Sequence, residues 1–540
     1  MRLRINQIAV RLAYGEGDVL EAVCRELRCQ KEQLDRVEIL RRSLDARKKD
    51  QEPRYILSIE VDYSGKPPML KPGQLEKAPK PEPRLVFPTL GNLANPPVVI
   101  GAGPAGLMAA LTLAEVGYRP LLIERGSESP DREKQVEAFW KHSKLDVESN
   151  VLFGEGGAGL FSDGKLTGRS KDRARIRRFF ETLVSCGASP DILFDAMPHI
   201  GSDDLAHIVP AIRNRIWELG GACAFNSRLE GLQIENGTLR GIVASGKEIR
   251  TDACFLATGH SARDVYGLLA ENNVPLEAKP FAVGVRLEIP QQRIDEAQYG
   301  KWANLPMLGS ASFRLTRKEE ANARRCYSFC MCPGGLVISC ASSEGLITSN
   351  GMSLSARDKP FGNAAFLVPV EPADFHTCAS VKNPMLAGIE FQQKVERAAF
   401  EAGGSGYGLP AARLVDFLAG KKGELPTERS CMQATPALLQ DILPEFVFQT
   451  LESAIPKMLR ELNGTPLEEI VLYASETRSS SPVRILRDSS GESTGVKGLF
   501  PCGEGAGYAG GIVSSALDGM RAAEQHILKN KALPHTGTTA

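Results

Sequence analysis

The stretch PPVVIGAGPAGLMAALTLAEVGYRPLLIERG, residues 96–126, decides the fold. Val98, Val99 and Ile100 read as a short buried strand, and Gly101-Ala102-Gly103-Pro104-Ala105-Gly106 follows as G-x-G-x-x-G. Leu107 to Val116 has helical spacing, and Leu121, Leu122 and Ile123 form a second strand that ends at Glu124. Each part has a mechanical task in holding a dinucleotide. Gly101 permits the tight turn, Gly103 lets backbone N–H groups approach a pyrophosphate, and Gly106 lets the helix pack closely on the strand. The helix start offers unpaired N–H groups and positive dipole charge to the phosphates. Glu124, about twenty residues on, is placed to accept hydrogen bonds from a ribose diol. An acid there argues against a 2′-phosphate, and Arg125 is a candidate to lie over the adenine.

Distant segments choose between FAD and NAD. Residues 228–242 read as short strands joined by an Asn236-Gly237 turn, and residues 251–260 as an apolar strand ending in Ala257-Thr258-Gly259. Near the end, residues 498–512 give an apolar strand, Gly503-Glu504 and a glycine-rich loop through Gly510, Gly511 and Ile512, and a long helix follows from Val513 to Lys529. A plain NAD fold does not need this second half. An FAD fold uses a late strand and acid for the ribityl chain, and the following helix start for the pyrimidine edge of the flavin.

At 540 residues the chain exceeds one hydrophobic core, so two to four domains are expected. Lys plus Arg and Asp plus Glu both number 65, which gives no push toward nucleic acid or anionic lipid. The twelve Cys include no C-x-x-C, so reduced cytosolic thiols are expected and a zinc site or disulfide framework is not. The N-terminus lacks an apolar segment of the signal-peptide kind, and a cytoplasmic location is the reading. Residues 85–114 carry no charge, but prolines and glycines interrupt the run, so no membrane span is read there.

The expected fold class is α/β. A three-layer FAD/NAD(P)-binding domain is assembled from discontinuous segments, with an inserted mixed α/β substrate domain and a small N-terminal α/β domain. The boundaries read as 1–65 for the N-terminal domain and 66–97 for a proline-rich linker. The FAD-binding domain takes 98–280 and closes with 476–530, the substrate domain takes 281–475, and 531–540 is a tail. Arg41, Arg42, Arg47, Lys48 and Lys49 are interleaved with Glu38, Asp45, Asp50 and Glu52, and read as a solvated strand face.

Five motifs carry a resemblance. They are Phe153 to Leu166, Ala257 to Ala262, Cys330 to Gly335, Glu476 to Arg484, and the Gly503-Glu504 loop. With these the chain resembles the FAD-dependent oxidoreductases of the glutathione reductase-like superfamily, in the arrangement also seen in para-hydroxybenzoate hydroxylase. More narrowly, it resembles a bacterial family often labelled NAD(FAD)-utilizing dehydrogenases. The resemblance implies FAD, with Gly101, Gly103, Gly106 and Glu124 on its ADP half and backbone groups of Leu229 at the adenine. It puts Glu504 where the superfamily usually has Asp, and backbone N–H groups from Gly505 to Gly511 at the flavin pyrimidine.

Candidates for chemistry remain. Five glycines between Gly154 and Gly164 point to a loop folded on the cofactor, with Gly156, Gly157, Ala158 and Lys165 in contact and Asp163 or Lys165 near a reacting group. Arg478, Ser481 and Arg484 are candidates for an anionic substrate or the phosphates of a transient NAD(P)H, with structural salt bridges as the alternative. Cys330 and Cys332 read as small packing side chains, because a disulfide across one residue is strained. His260 reads as a local hydrogen-bonding group. No second strand-G-x-G-x-x-G-helix unit occurs, so no separate nicotinamide domain is expected. The functional reading is hydride transfer between FAD and a small or medium organic substrate, with no catalytic residue assigned. An FAD-dependent monooxygenase and an RNA-acting flavoprotein are the alternatives.

Overall fold

Val98–Ile100 is the middle strand of a five-stranded sheet in the computed structural model, which describes residues 1–66, 68–79, 93, 95–168, 170–318, 324–378, 383–431, 433–462 and 465–531. All pairings are parallel, in the order Leu499–Pro501, Cys254–Leu256, Val98–Ile100, Leu121–Ile123, Ala222–Ala224. Strands from three distant parts of the chain therefore build one sheet. The helix Pro104–Glu115 is apolar on all sides because it is covered on all sides, by the sheet and by the last helix, Ile512–Lys531. Gly519 lets these two helices touch, since a Cβ there would lie 2.0 Å from the Ala105 carbonyl oxygen. The antiparallel strands Leu229–Glu235, Thr238–Ala244 and Lys247–Arg250 form the expected meander. Its first turn has positive φ at both Asn236 and Gly237, as a two-residue hairpin turn needs.

The second body is a seven-stranded mixed sheet centred on Phe281–Pro290 and Phe361–Val370, which pair over their full lengths. Alternation in Phe281–Pro290 sets two faces. Val283, Val285, Leu287 and Ile289 point into a core closed by the helices Ala387–Ala402 and Glu445–Leu459, while Arg286 and Glu288 point the other way. The hairpin Leu336–Cys340 with Thr348–Met352 joins the two bodies, because its Ile338, Cys340 and Met352 sit in the core of the parallel-sheet unit.

In the N-terminal unit the strands run in the order Leu34–Asp45, Arg54–Tyr63, Arg2–Arg11, Leu75–Lys77, with Val19, Val23 and Leu27 of the helix Glu16–Leu27 packed on one face. The fourth strand corrects the boundary at 65. Leu75 pairs with Ile5 and is buried, so the stretch read as linker begins with an edge strand of this sheet. The substrate-body strand Val471–Glu476 likewise runs one residue past the boundary at 475. Pro81, Pro83, Pro88 and tail residues 532–540 lie outside the described residues. Among the described residues, no helix is long and apolar enough to cross a membrane.

Candidate functional site

The glycine turn after Val98–Ile100 is held by backbone contacts on both sides. Gly101 has φ +104 and donates its N–H to the Ile123 carbonyl at 2.7 Å, and a Cβ on it would lie 2.4 Å from the Ala257 oxygen. A Cβ on Gly106 would lie 1.8 Å from the Gly101 oxygen, so the close helix packing read from the motif is real. Gly103 differs. Its φ of −77 suits any residue, and a Cβ there would meet only the Gly157 Cα, at 3.8 Å. The turn conformation does not demand glycine at 103; the open ground above it does. Pro104 occupies the first helical position, no side chain caps the helix, and no acid stands in its first turn. An uncapped helix start beside open space fits a diphosphate.

Glu124 lies at the next strand end, buried, with its carboxylate accepting from three backbone N–H groups: Ala102 at 2.7 Å, Gly154 at 2.9 Å and Gly126 at 3.0 Å. A carboxylate has about four acceptor positions, so room remains for a ribose hydroxyl. The guanidinium of Arg125 stacks over Phe153 at 4.5 Å and pairs with Asp264 and Glu148, which occupies it within the protein. Leu229 is buried at the start of its strand.

The glycine-rich loop folds back onto this turn. Gly156 donates to the Ala102 oxygen at 2.9 Å, and a Cβ on Gly157 would lie 3.1 Å from the Gly103 Cα. Further along, Gly159 comes against Ile512 at the start of the last helix, while Ala158 is exposed. The loop thus spans from the first helix start to the last. Its anchor is Arg132, which the sequence reading missed. This fully buried side chain donates to the carbonyls of Asn150 (2.9 Å), Val151 (2.9 Å) and Glu155 (2.6 Å). Burial lowers its guanidinium to about 10. Nothing local in the sequence marks an arginine that works through carbonyls twenty residues away. Asp163 is buried between Arg357 and Lys165, the latter 3.0 Å away.

The turn Ala257-Thr258-Gly259 is wedged between the two halves. Ala257 donates to the Ile100 oxygen at 2.8 Å, and a Cβ on Gly505 would lie 2.6 Å from the Gly259 oxygen. His260, read as a local hydrogen-bonding group, lies with its Nδ1 3.7 Å from the Glu504 carboxylate. Gly503 donates to Asp518 at 2.8 Å, and Asp518 in turn takes both arms of Arg487 at 2.9 and 2.7 Å. Asp518 is a second missed support, because it sits fifteen residues downstream on the last helix. Gly510 and Gly511 have open space where a Cβ would stand, just before the Ile512 helix start.

The polar segment around Pro482 follows the structural alternative. Arg478 and Arg263 clasp Glu396, which is fully buried; burial alone would raise that carboxyl, but the two guanidiniums hold it far below its ordinary value. Ser481 is buried against Tyr266 Oη (3.0 Å) and the Val483 oxygen (2.6 Å). Arg484 remains about one-third exposed, paired with Glu277 at 3.0 Å. Cys332 is buried, but Cys330 is only half-buried, has φ +44, and faces Lys165 across the cleft.

A parallel sheet of discontinuous strands, with a glycine turn, a strand-end acid and a late glycine loop gathered at one edge, defines an α/β dinucleotide-binding flavoprotein fold. The family model for pyridine nucleotide-disulphide oxidoreductases matches residues 96–280, that for the FAD-dependent protein C-terminal domain matches 280–479, and a domain of unknown function matches 2–62. An uncharacterized protein from Clostridium beijerinckii is 42% identical over 99% of this chain and 100% of its own. The chain belongs to this uncharacterised family of FAD-dependent oxidoreductases, and its cofactor is FAD. Among solved structures, a variant of Escherichia coli quinol fumarate reductase FrdA is 12% identical, covers 83% of this chain and 72% of its own, and has a TM-score of 0.38. A geranylgeranyl bacteriochlorophyll reductase-like protein from Thermoplasma acidophilum is 12% identical over 82% and 80% of the two chains, at TM-score 0.35.

Proposed function

We propose that the protein is a dehydrogenase or reductase in which FAD exchanges hydride with a small or medium organic substrate. The observation that carries this reading is the start of the last helix: Ile512 follows two open glycines, and no acid stands in the first turn. A helix start aimed at the pyrimidine edge of the flavin favours the negative charge that two-electron reduction places there. In this reading Gly101 to Gly106 hold the diphosphate, and Glu124 takes the adenosine ribose beside Leu229. Ala257 to Gly259, Gly503 and Glu504 line the ribityl chain. Gly156, Gly157, Ala158 and Lys165 cover the cofactor, and Gly510, Gly511 and Ile512 bind the ring. Bound FAD supplies the hydride acceptor or donor, and the chain positions it and excludes water.

The test is anaerobic mixing of the FAD-loaded protein with NADH and with NADPH, followed by turnover with an artificial electron acceptor. Bleaching of the flavin band without oxygen, followed by steady acceptor reduction, is the expected result. Nicotinamide consumption that requires dioxygen and yields a hydroxylated product would replace this reading with a monooxygenase.

A further inference from the structure

The strand Cys326–Cys332 loses register against Phe361–Val370. Phe329 pairs with Ala365 and Cys332 with Asn363, so three steps on one strand face two on the other. This bulge has Cys330 at its apex in the left-handed region, a conformation that non-glycine residues rarely adopt. In an unbulged strand, Cα atoms two residues apart lie about 6.6–6.8 Å from one another, at the upper limit for a disulfide. The Cys332 thiol donates to the Cys330 carbonyl oxygen at 3.4 Å, which holds its sulfur beside the other cysteine.

The two thiols are not equivalent. Cys332 is fully buried, whereas Cys330 is half-buried and opens toward the glycine-rich loop. The charged groups facing Cys330 are Lys165 and Asp163 from that loop and Arg286, which reaches across from the strand Phe281–Pro290 to the Cys330 carbonyl oxygen at 3.4 Å. Arg286 is fixed by Glu476 at 2.8 and 2.9 Å and by Asn363 at 2.9 Å. The Cys332 hydrogen bond, then Lys165 and Arg286, hold the Cys330 thiol below its ordinary value against burial and Asp163. Cys332 is pushed well up by its Cys330 neighbour and by burial, so Cys330 is the thiol that ionises first.

We propose that Cys330 and Cys332 form a dithiol–disulfide couple acting on a disulfide substrate, with Cys330 the attacking sulfur and Cys332 the resolving one. The Cys330 thiolate attacks one sulfur of the substrate, whose S–S bond breaks and releases the first thiolate. Cys332 gives its proton to that thiolate and attacks the Cys330 sulfur, which breaks the mixed disulfide and releases the second thiolate. The Cys330–Cys332 bond forms, and two electrons pass from the pair to the substrate, which leaves as one thiol and one thiolate. A disulfide across one residue is strained and therefore easily reduced again, which suits a couple that must cycle. This proposal stands on the bulge and the thiol pair, independently of the hydride donor.

The probe is the aryl disulfide dithiodipyridine, given to the reduced, FAD-loaded full chain, with peptide mass spectrometry as the readout. Cys330 should react about tenfold or more faster than the half-buried Cys24, Cys29, Cys186, Cys223 and Cys378. In the wild type, two pyridinethiones leave per chain in the fast phase, and the 330–332 peptide ends two hydrogens lighter with no label. In both Cys332→Ser and Cys332→Ala, one leaves and the pyridyl label stays on Cys330. In Cys330→Ser the fast phase disappears. Bound FAD per chain shows that each variant is folded. A wild-type protein that keeps the label on Cys330, or that labels the other five half-buried cysteines equally fast, would overturn the proposal.

Discussion

Gly103 and Gly106 stand three residues apart in one turn, yet glycine is required for different reasons. At Gly106 the obstacle is the protein itself, because a Cβ would meet the Gly101 oxygen at 1.8 Å. Gly106→Ala is expected to lower the urea midpoint of the apoprotein, at a cost of about 1–3 kcal/mol for the forced shift. At Gly103 the obstacle is the ligand. Gly103→Val should leave the apoprotein about as stable as the wild type but weaken FAD at least about a hundredfold, since displacing the diphosphate forfeits two or more charge-assisted hydrogen bonds of roughly 1.5–3 kcal/mol each. Flavin titration beside urea unfolding separates the two. If Gly103→Val binds FAD normally, the diphosphate does not rest on this turn. The Gly101–Gly106 turn, the strand-end place of Glu124 and the late glycine loop were legible because each lies within a single local strand–turn–helix stretch. Arg132 and Asp518 were not, because each acts on backbone that only the folded chain brings near. Arg478 was left open between a substrate and a structural salt bridge, since a polar segment looks the same whether its partner is a substrate or the buried Glu396.

At the scale of the element, the last helix does more than close the sheet. His526 on this helix is buried with its ring edge-on to Phe255 (5.6 Å) and Phe500 (5.3 Å). Burial, then Lys529, pushes it down to about 4, whereas an unfolded histidine titrates near 6.5. Between these values the unfolded chain takes up a proton that the folded chain does not, so stability falls as pH drops from about 6.5 to 4 and is untouched above. The wild type is expected to lose about 2–3 kcal/mol between pH 7 and pH 4.5 that His526→Phe does not lose. Denaturant midpoints of both proteins at the two pH values measure this, and parallel losses would mean that His526 is protonated in the fold. The helix itself was legible from its apolar spacing and the loop before it. The bulge at Cys330 was not, because a bulge is a property of two strands and shows only when the partner's register is known.

At the scale of the molecule, the question is whether the N-terminal unit belongs to the cofactor site. It docks through Arg42, whose guanidinium binds Asp195 at 2.6 and 3.0 Å and Asp191 at 2.8 Å, while its backbone exchanges hydrogen bonds with Phe194 and Ala196. The basic strand read as a solvated face therefore contributes one residue to a domain contact, a role that its mixed charge did not reveal. Between the two units lies a cleft of about 2320 Å³ that reaches Thr112, Glu115 and Val116, at the far end of the helix Pro104–Glu115. Twelve helical residues separate that end from the glycine turn by about 18 Å, too far for the unit to touch a diphosphate there. Removing residues 1–79 should thus leave one FAD per chain, with the dissociation constant changed by less than about threefold. The loss in stability should be about 1 kcal/mol, because Asp191 and Asp195 are exposed enough to be solvated once Arg42 is gone. The cut belongs at 79 and not at 65, since a chain starting at 66 would keep Leu75–Lys77 without the strand it pairs with and leave Leu75 uncovered. Flavin absorbance per chain and thermal unfolding of the truncated protein are the measurements. A folded, soluble protein that has lost its flavin would make the N-terminal unit part of the FAD site and place the dinucleotide nearer to the cleft than the glycine turn allows.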